Sequence, residues 1–215
     1  MIESRAHATL AVQSTASVPE RVRAFAGSQP PGKPFTVREL VGLGPRAAVD
    51  QALTRLVKSG ELERPARGVY VRPRLSAALG RPVPPSPEEV VAAIAQSSGE
   101  VLAPHGAEAA RRLGLSTQVP MTTVYATSGR SRRVRVGNRE VILRHAAPRS
   151  LALAGRPAGD ALAALRYLGA REVTTDTIRQ VERRIGPAET AVLRRSVALM
   201  PGWLSELMQR TQEAA

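Results

Sequence analysis

The 215-residue chain contains no cysteine. That excludes disulfides, thiolate metal sites and cysteine nucleophiles, and it fits a reducing, cytoplasmic setting. Aromatic residues make up only 3%, too few for a surface that stacks single-stranded bases on rings. No apolar run approaches the ~20 residues of a membrane-spanning helix, so no membrane partner is expected. Residues 1–16 lack the basic start and long apolar stretch of a secretion signal and read as a flexible tail. Acidic residues are also scarce, 18 against 31 arginines and lysines, which leaves a net charge of +13. Such an excess speaks to polyanionic partners rather than to fold. Lysine occurs only as Lys33 and Lys58. Arginine's planar fork suits phosphate and guanine edges, while GC-rich codon usage is the bland reading of arginine over lysine; the excess of positive charge stands on either.

The same scarcity limits catalysis. His7, His105 and His145 have no ligand-spaced partner, and His105 before Gly106 reads as a helix cap or a core-edge group rather than a catalyst. Asp160 and Asp176 fit first-turn positions of helices, where a carboxylate favours the helix dipole. No acidic cluster resembles a two-metal nuclease. The stretch GSQPPGKP (27–34) has P-loop spacing, but Pro34 replaces the magnesium-binding hydroxyl, and Pro30 and Pro31 remove amides that would cradle phosphate. No cofactor, no metal and no enzymatic activity are expected.

Pro82, Pro84 and Pro85 interrupt any helix, while Ser86 and Pro87 open the next one. A boundary is therefore expected near residue 80, with domains at 17–80 and 81–215. Each part carries a positive excess.

In the first part, Val18, Val22, Phe25 and Ala26 share a helical face. Thr36 and Glu39 form a capping box for a short helix, TVRELVGLG. Pro45 opens a second helix running to Gly60, with Val49, Ala52, Leu53, Leu56 and Val57 inward. Its outward face holds Arg46, Ala47, Gln51, Thr54, Arg55 and Lys58, with Asp50 near the start. Glu61–Arg64 and Val69–Arg72 read as a hairpin with Arg64 and Arg67 at its tip. Helix, short helix, turn, longer helix and hairpin is the order of a winged helix-turn-helix. In that module the third helix meets base edges in the major groove, while wing arginines meet phosphate or the minor groove.

The second part reads as α+β: helix SPEEVVAAIAQSSG, strand EVLAP, helix HGAEAARRLG, a small antiparallel meander, then C-terminal helices. Gly137-Asn138 suits a two-residue hairpin turn that sets Val134 opposite Val141 and Arg135 opposite Glu140. Between residues 111 and 149 lie Arg111, Arg112, Arg130, Arg132, Arg133, Arg135, Arg139, Arg144 and Arg149 against Glu140 alone. This run reads as a basic surface for a polyanion or a partner.

The run KPFTVRELVGLGPRAAVDQALTRLVKSGELERPARGVYVRP, followed by PHGAEAARRLGLSTQVPMTTVYATSGRSRRVRVGNREVILRH, resembles the AbiEi antitoxins of bacterial type IV toxin–antitoxin systems. The similarity runs from about residue 17 to residue 205, and "RGVY" and "GAEAARRLGLSTQVP" carry it most specifically. It implies a protein that represses its own operon through the winged helix. It also implies a C-terminal domain that counteracts a neighbouring nucleotidyltransferase toxin, in systems tied to phage defence, without requiring a stable complex with that toxin. By motif, Arg46, Gln51, Thr54 and Arg55 fall on the recognition helix and Arg64 and Arg67 on the wing. The expected DNA is a promoter with inverted repeats. No dimerisation stripe is evident, so a monomer in solution is expected. A stand-alone regulator without a toxin and a nucleic-acid-processing enzyme remain open alternatives.

Overall fold

The computed structural model describes residues 16–76, 80–118 and 122–213. The expected tail lies outside these residues except for Ala16. The chain is mixed α+β, with eight α-helices and three small sheets among the described residues. It divides into two compact units at 97/98 rather than near residue 80. The prolines do not form a linker, because Pro82–Val83 (β5) pairs with Arg74–Leu75 (β4) and carries the chain past residue 80 within the first unit.

That unit begins with α1 (Val18–Ser28), whose first turn is closed by a capping box between Ser17 and Glu20. β1 (Phe35–Thr36) follows, then a single 3₁₀ turn, Val37–Leu40, and α2 (Arg46–Lys58). β2 (Glu63–Ala66) and β3 (Val69–Val71) form the hairpin, and β1 pairs with β3 to give the order β1-β3-β2. The expected short helix is thus only one turn. Its capping box is present, with the Thr36 amide donating to Glu39 Oε1 at 2.7 Å. Gly42 and Gly44, at φ 95° and 151°, stop it from lengthening. At Gly44 a Cβ would stand 2.5 Å from a Val18 methyl, so glycine also lets the turn close on α1.

The unit's core is one cluster: Val22 and Ala26 of α1, Val49, Ala52, Leu53 and Leu56 of α2, with Phe35, Leu40, Leu62 and Tyr70. Phe35 is edge-on to Phe25 at 5.5 Å and stacked on Tyr70 at 6.1 Å. The predicted stripe of α2 is the buried one, which turns the opposite face to solvent. α3 (Pro87–Ser98) follows β5, capped by Ser86 and Glu89, with Val90, Val91 and Ala95 buried.

The second unit contains β6 (Leu102–Pro104), α4 (Gly106–Arg112), β7 (Thr123–Thr127), β8 (Arg132–Val136) and β9 (Arg139–His145). The helices α5 (Pro148–Leu151), α6 (Pro157–Leu168), α7 (Thr175–Arg195) and α8 (Gly202–Glu213) complete it. The expected meander is corrected. β9 inserts between β7 and β8, parallel to β7 and antiparallel to β8, giving the order β6-β7-β9-β8. The β8–β9 register is the expected one, Val134↔Val141 and Arg135↔Glu140, fixed by the Gly137-Asn138 turn with Gly137 at φ 55°. Local turn chemistry sets a hairpin's register. Which strand takes the other edge of β9 is a long-range choice, made where Tyr125, Val141 and Leu143 are buried on one sheet face.

α4, α6, α7 and α8 share a second core built on Ala109, Leu162, Leu165, Ile178, Leu193 and Leu204. α7 breaks at Gly186 (φ 79°) and Pro187. Arg194 clamps the break with a two-pronged bond to Glu182 at 2.8 and 2.9 Å.

The sheet's other anchor is Glu100, which accepts from Thr127 Oγ1 at 2.8 Å and pairs with Arg132 at 2.9 Å. Burial pushes its carboxyl up, but the bonds from Arg132 and Thr127 outweigh that and hold it below the usual 4.5. A depressed carboxylate stabilises the fold above its unfolded pKa, and the contribution fades as pH falls through the lower folded value. Stability is therefore expected to drop on acidification below about pH 4.5. In Glu100→Gln that acid limb should be shallower, as measured by urea unfolding from pH 3 to 7.

Candidate nucleic-acid interface

Burial of Val49, Ala52, Leu53 and Leu56 leaves Arg46, Ala47, Gln51, Thr54, Arg55 and Lys58 all exposed on α2. Two of these are tied to Asp50. Arg46 Nε donates to Asp50 Oδ2 at 2.8 Å, and Thr54 Oγ1 donates to the Asp50 carbonyl at 2.7 Å. The Thr54 hydroxyl proton is thus committed to the helix, and the residue presents lone pairs and a methyl. Near the helix end, Glu61 is neutralised: it accepts from Ser59 and pairs with Arg23 at 3.1 Å, and both interactions lower its pKa.

The hairpin differs from expectation in one respect. Ala66 pairs with Val69, so the tip is Arg67-Gly68, with Gly68 at φ 75° as a two-residue turn demands. The Gly68 carbonyl accepts from the Val37 amide at 3.1 Å, which fixes the tip against the 3₁₀ turn. Arg67 is exposed there. Arg64 is not at the tip. It lies within β2, its guanidinium 5.8 Å from the centre of the buried Tyr70 ring.

The basic run of the second unit is redistributed by carboxylates outside it. Arg111 and Arg112 both bond Glu108, at 2.8 and 3.0 Å, and Arg132 bonds Glu100. The Arg111 bond is the main cause of a lowered Glu108 pKa. Glu140 pairs with Arg133 at 3.4 Å rather than with Arg135, which instead donates to the Gly137 carbonyl. Arg149 donates to the Ala198 carbonyl. Arg130, Arg135, Arg139 and Arg144 are exposed with no carboxylate partner among the described residues. The register sets Arg133, Arg135 and Arg144 on one sheet face and Arg132 and Arg139 on the other. The nine arginines are therefore not one patch.

Glu108 was legible in the sequence, standing three and four residues before Arg111 and Arg112. Glu100 was not, because Arg132 is brought to it only by the sheet. Of the two roles expected for His105 the structure shows the cap of α4, its Nδ1 accepting from the Ala107 amide at 3.5 Å, and burial followed by the Arg144 charge lowers its pKa. It borders a cavity of about 150 Å³ that also touches Ser150, Asp160 and Arg166. Among the described residues no group of three histidine or acidic side chains is placed to hold a metal ion, and no helix is long and apolar enough to cross a membrane.

These features define an α+β chain of two units. The first carries an exposed, polar helix face of net positive charge and an arginine-tipped hairpin. The chain belongs to the family of unknown function DUF6088, whose model matches residues 21–189 and so reaches into both units. No curated protein and no solved structure matches it.

Proposed function

We propose that the first unit is a winged helix-turn-helix that binds duplex DNA. We further propose that the protein is a transcriptional repressor of its own operon and, on the resemblance to AbiEi antitoxins, an antitoxin to a nucleotidyltransferase. The exposed polar face of α2, lying directly over its buried stripe, carries this reading. The order α1, β1, 3₁₀ turn, α2, β2, β3 and the Arg67 tip support it. Arg46, Gln51 and Thr54 read bases in the major groove. Arg55, Lys58 and Arg67 bind phosphate or the minor groove, and Arg64 contributes charge from the strand. Arg135 and Arg144, on one sheet face, add further basic surface for DNA or for opposing the toxin, and Arg130 and Arg139 contribute charge away from that face. Each monomer takes one half-site of an inverted repeat.

Fluorescence anisotropy on the duplex upstream of the gene, against a shuffled duplex of equal length, tests this reading. Arg46→Ala should lower affinity for the native duplex about 5- to 150-fold, the equivalent of one bidentate contact of roughly 1–3 kcal/mol. Arg67→Ala should weaken both duplexes alike and reduce the log–log salt slope by about 0.9. Equal binding of wild type to both duplexes would reject sequence-specific repression.

A further inference from the structure

Resting on the DNA-binding reading above, we infer that Asp50 is a specificity residue of α2. It fixes Arg46 as a guanine reader and itself accepts a hydrogen bond from the amino group of a neighbouring cytosine or adenine. Arg46, Asp50 and Thr54 stand at i, i+4 and i+8, so they form one exposed stripe with steps of about 6 Å along the axis. All three are joined through Asp50, by the Arg46 bond to its carboxylate and the Thr54 bond to its carbonyl.

The atoms used decide what remains. Arg46 gives Nε–H to Asp50 Oδ2, which leaves its two Nη groups as a donor pair, the complement of guanine O6 and N7. An exposed arginine has many rotamers to lose on binding. Holding it before binding removes part of that cost, and only for the orientation that presents the Nη edge. Asp50 Oδ1 makes no hydrogen bond to another described residue, and the carboxylate is 48% exposed. Asp50 is the only acid on α2. A carboxylate on a face that approaches phosphates is repelled by them, so it weakens binding to any duplex unless it meets a donor. In the major groove the donors are cytosine N4 and adenine N6. Asp50 thus trades general affinity for discrimination, as a specificity device does.

The test is selection from a randomised duplex library with the full chain, in wild type, Arg46→Ala, Asp50→Ala and Asp50→Asn forms. Wild type should enrich a motif with a fixed guanine beside a cytosine- or adenine-bearing position. Asp50→Ala should raise affinity for unselected duplex while lowering discrimination at those two positions about tenfold, within the range of one good contact. Asp50→Asn, close in shape but uncharged and able to donate, should shift the preference at the amino-base position. An Asp50→Ala motif unchanged in both positions, with a lower melting temperature and equal weakening on all duplexes, would mean that the pair only stabilises the helix, and would overturn the inference while leaving the DNA-binding reading intact. No enriched motif for wild type would overturn both.

Discussion

Phe35→Ala is expected to lower the unfolding free energy by about 3–5 kcal/mol, the usual cost of emptying a buried phenylalanine site. The ring is 1% exposed and touches the two other aromatics of its core, Phe25 and Tyr70. β1 also leads into the 3₁₀ turn that receives the hairpin tip, through the Val37–Gly68 bond. Loss of Phe35 should therefore loosen the site as well as the core. Chemical denaturation measures the first effect. Hydrogen exchange at the Val37 amide measures the second, which should exceed the change at Lys58.

Gly159→Ala and Gly106→Ala should destabilise by about 1–3 kcal/mol, the range for overpacking, although alanine is the better helix former by about 1 kcal/mol. At Gly159 an added Cβ would meet the Leu153 carbonyl oxygen and come 2.7 Å from its carbon, atoms that cannot rotate away. At Gly106 it would meet the Tyr167 Cβ and come 2.6 Å from the Ala163 carbonyl oxygen. These glycines let α4 and the α5–α6 corner approach α6 backbone to backbone. Gly202, which opens α8, has open space around it, so Gly202→Ala should be neutral or slightly stabilising. Thermal unfolding of the three variants separates close packing from helix propensity by the sign of the shift in melting temperature. A stabilised Gly159→Ala would show that the corner yields.

Local signals in this sequence determined the longer helices, several of their caps and the β8–β9 hairpin. The stripe Val49, Ala52, Leu53, Leu56 is a 3.6-residue period, and period alone says which face is buried and hence which residues face outward. Thr36 with Glu39, and Ser86 with Glu89, act over three residues, so their bonds form wherever the helix does. Gly137-Asn138 fixed a register for the same reason. The excess of arginine was plain in composition.

What the arginines do was decided only by the tertiary structure. Arg132 lost its availability to Glu100, 32 residues earlier, because the pairing of β6 with β7 sets the end of β7, and the loop leading to Arg132, beside Glu100. Arg64 moved from tip to strand because the Ala66–Val69 pairing slid the turn to Arg67-Gly68. β9 crossed to lie parallel to β7, and the chain ran beyond Pro82 before changing unit. Each of these depends on contacts between segments far apart in sequence. Their energy comes from burial of shared apolar faces, to which residue spacing along one segment is blind.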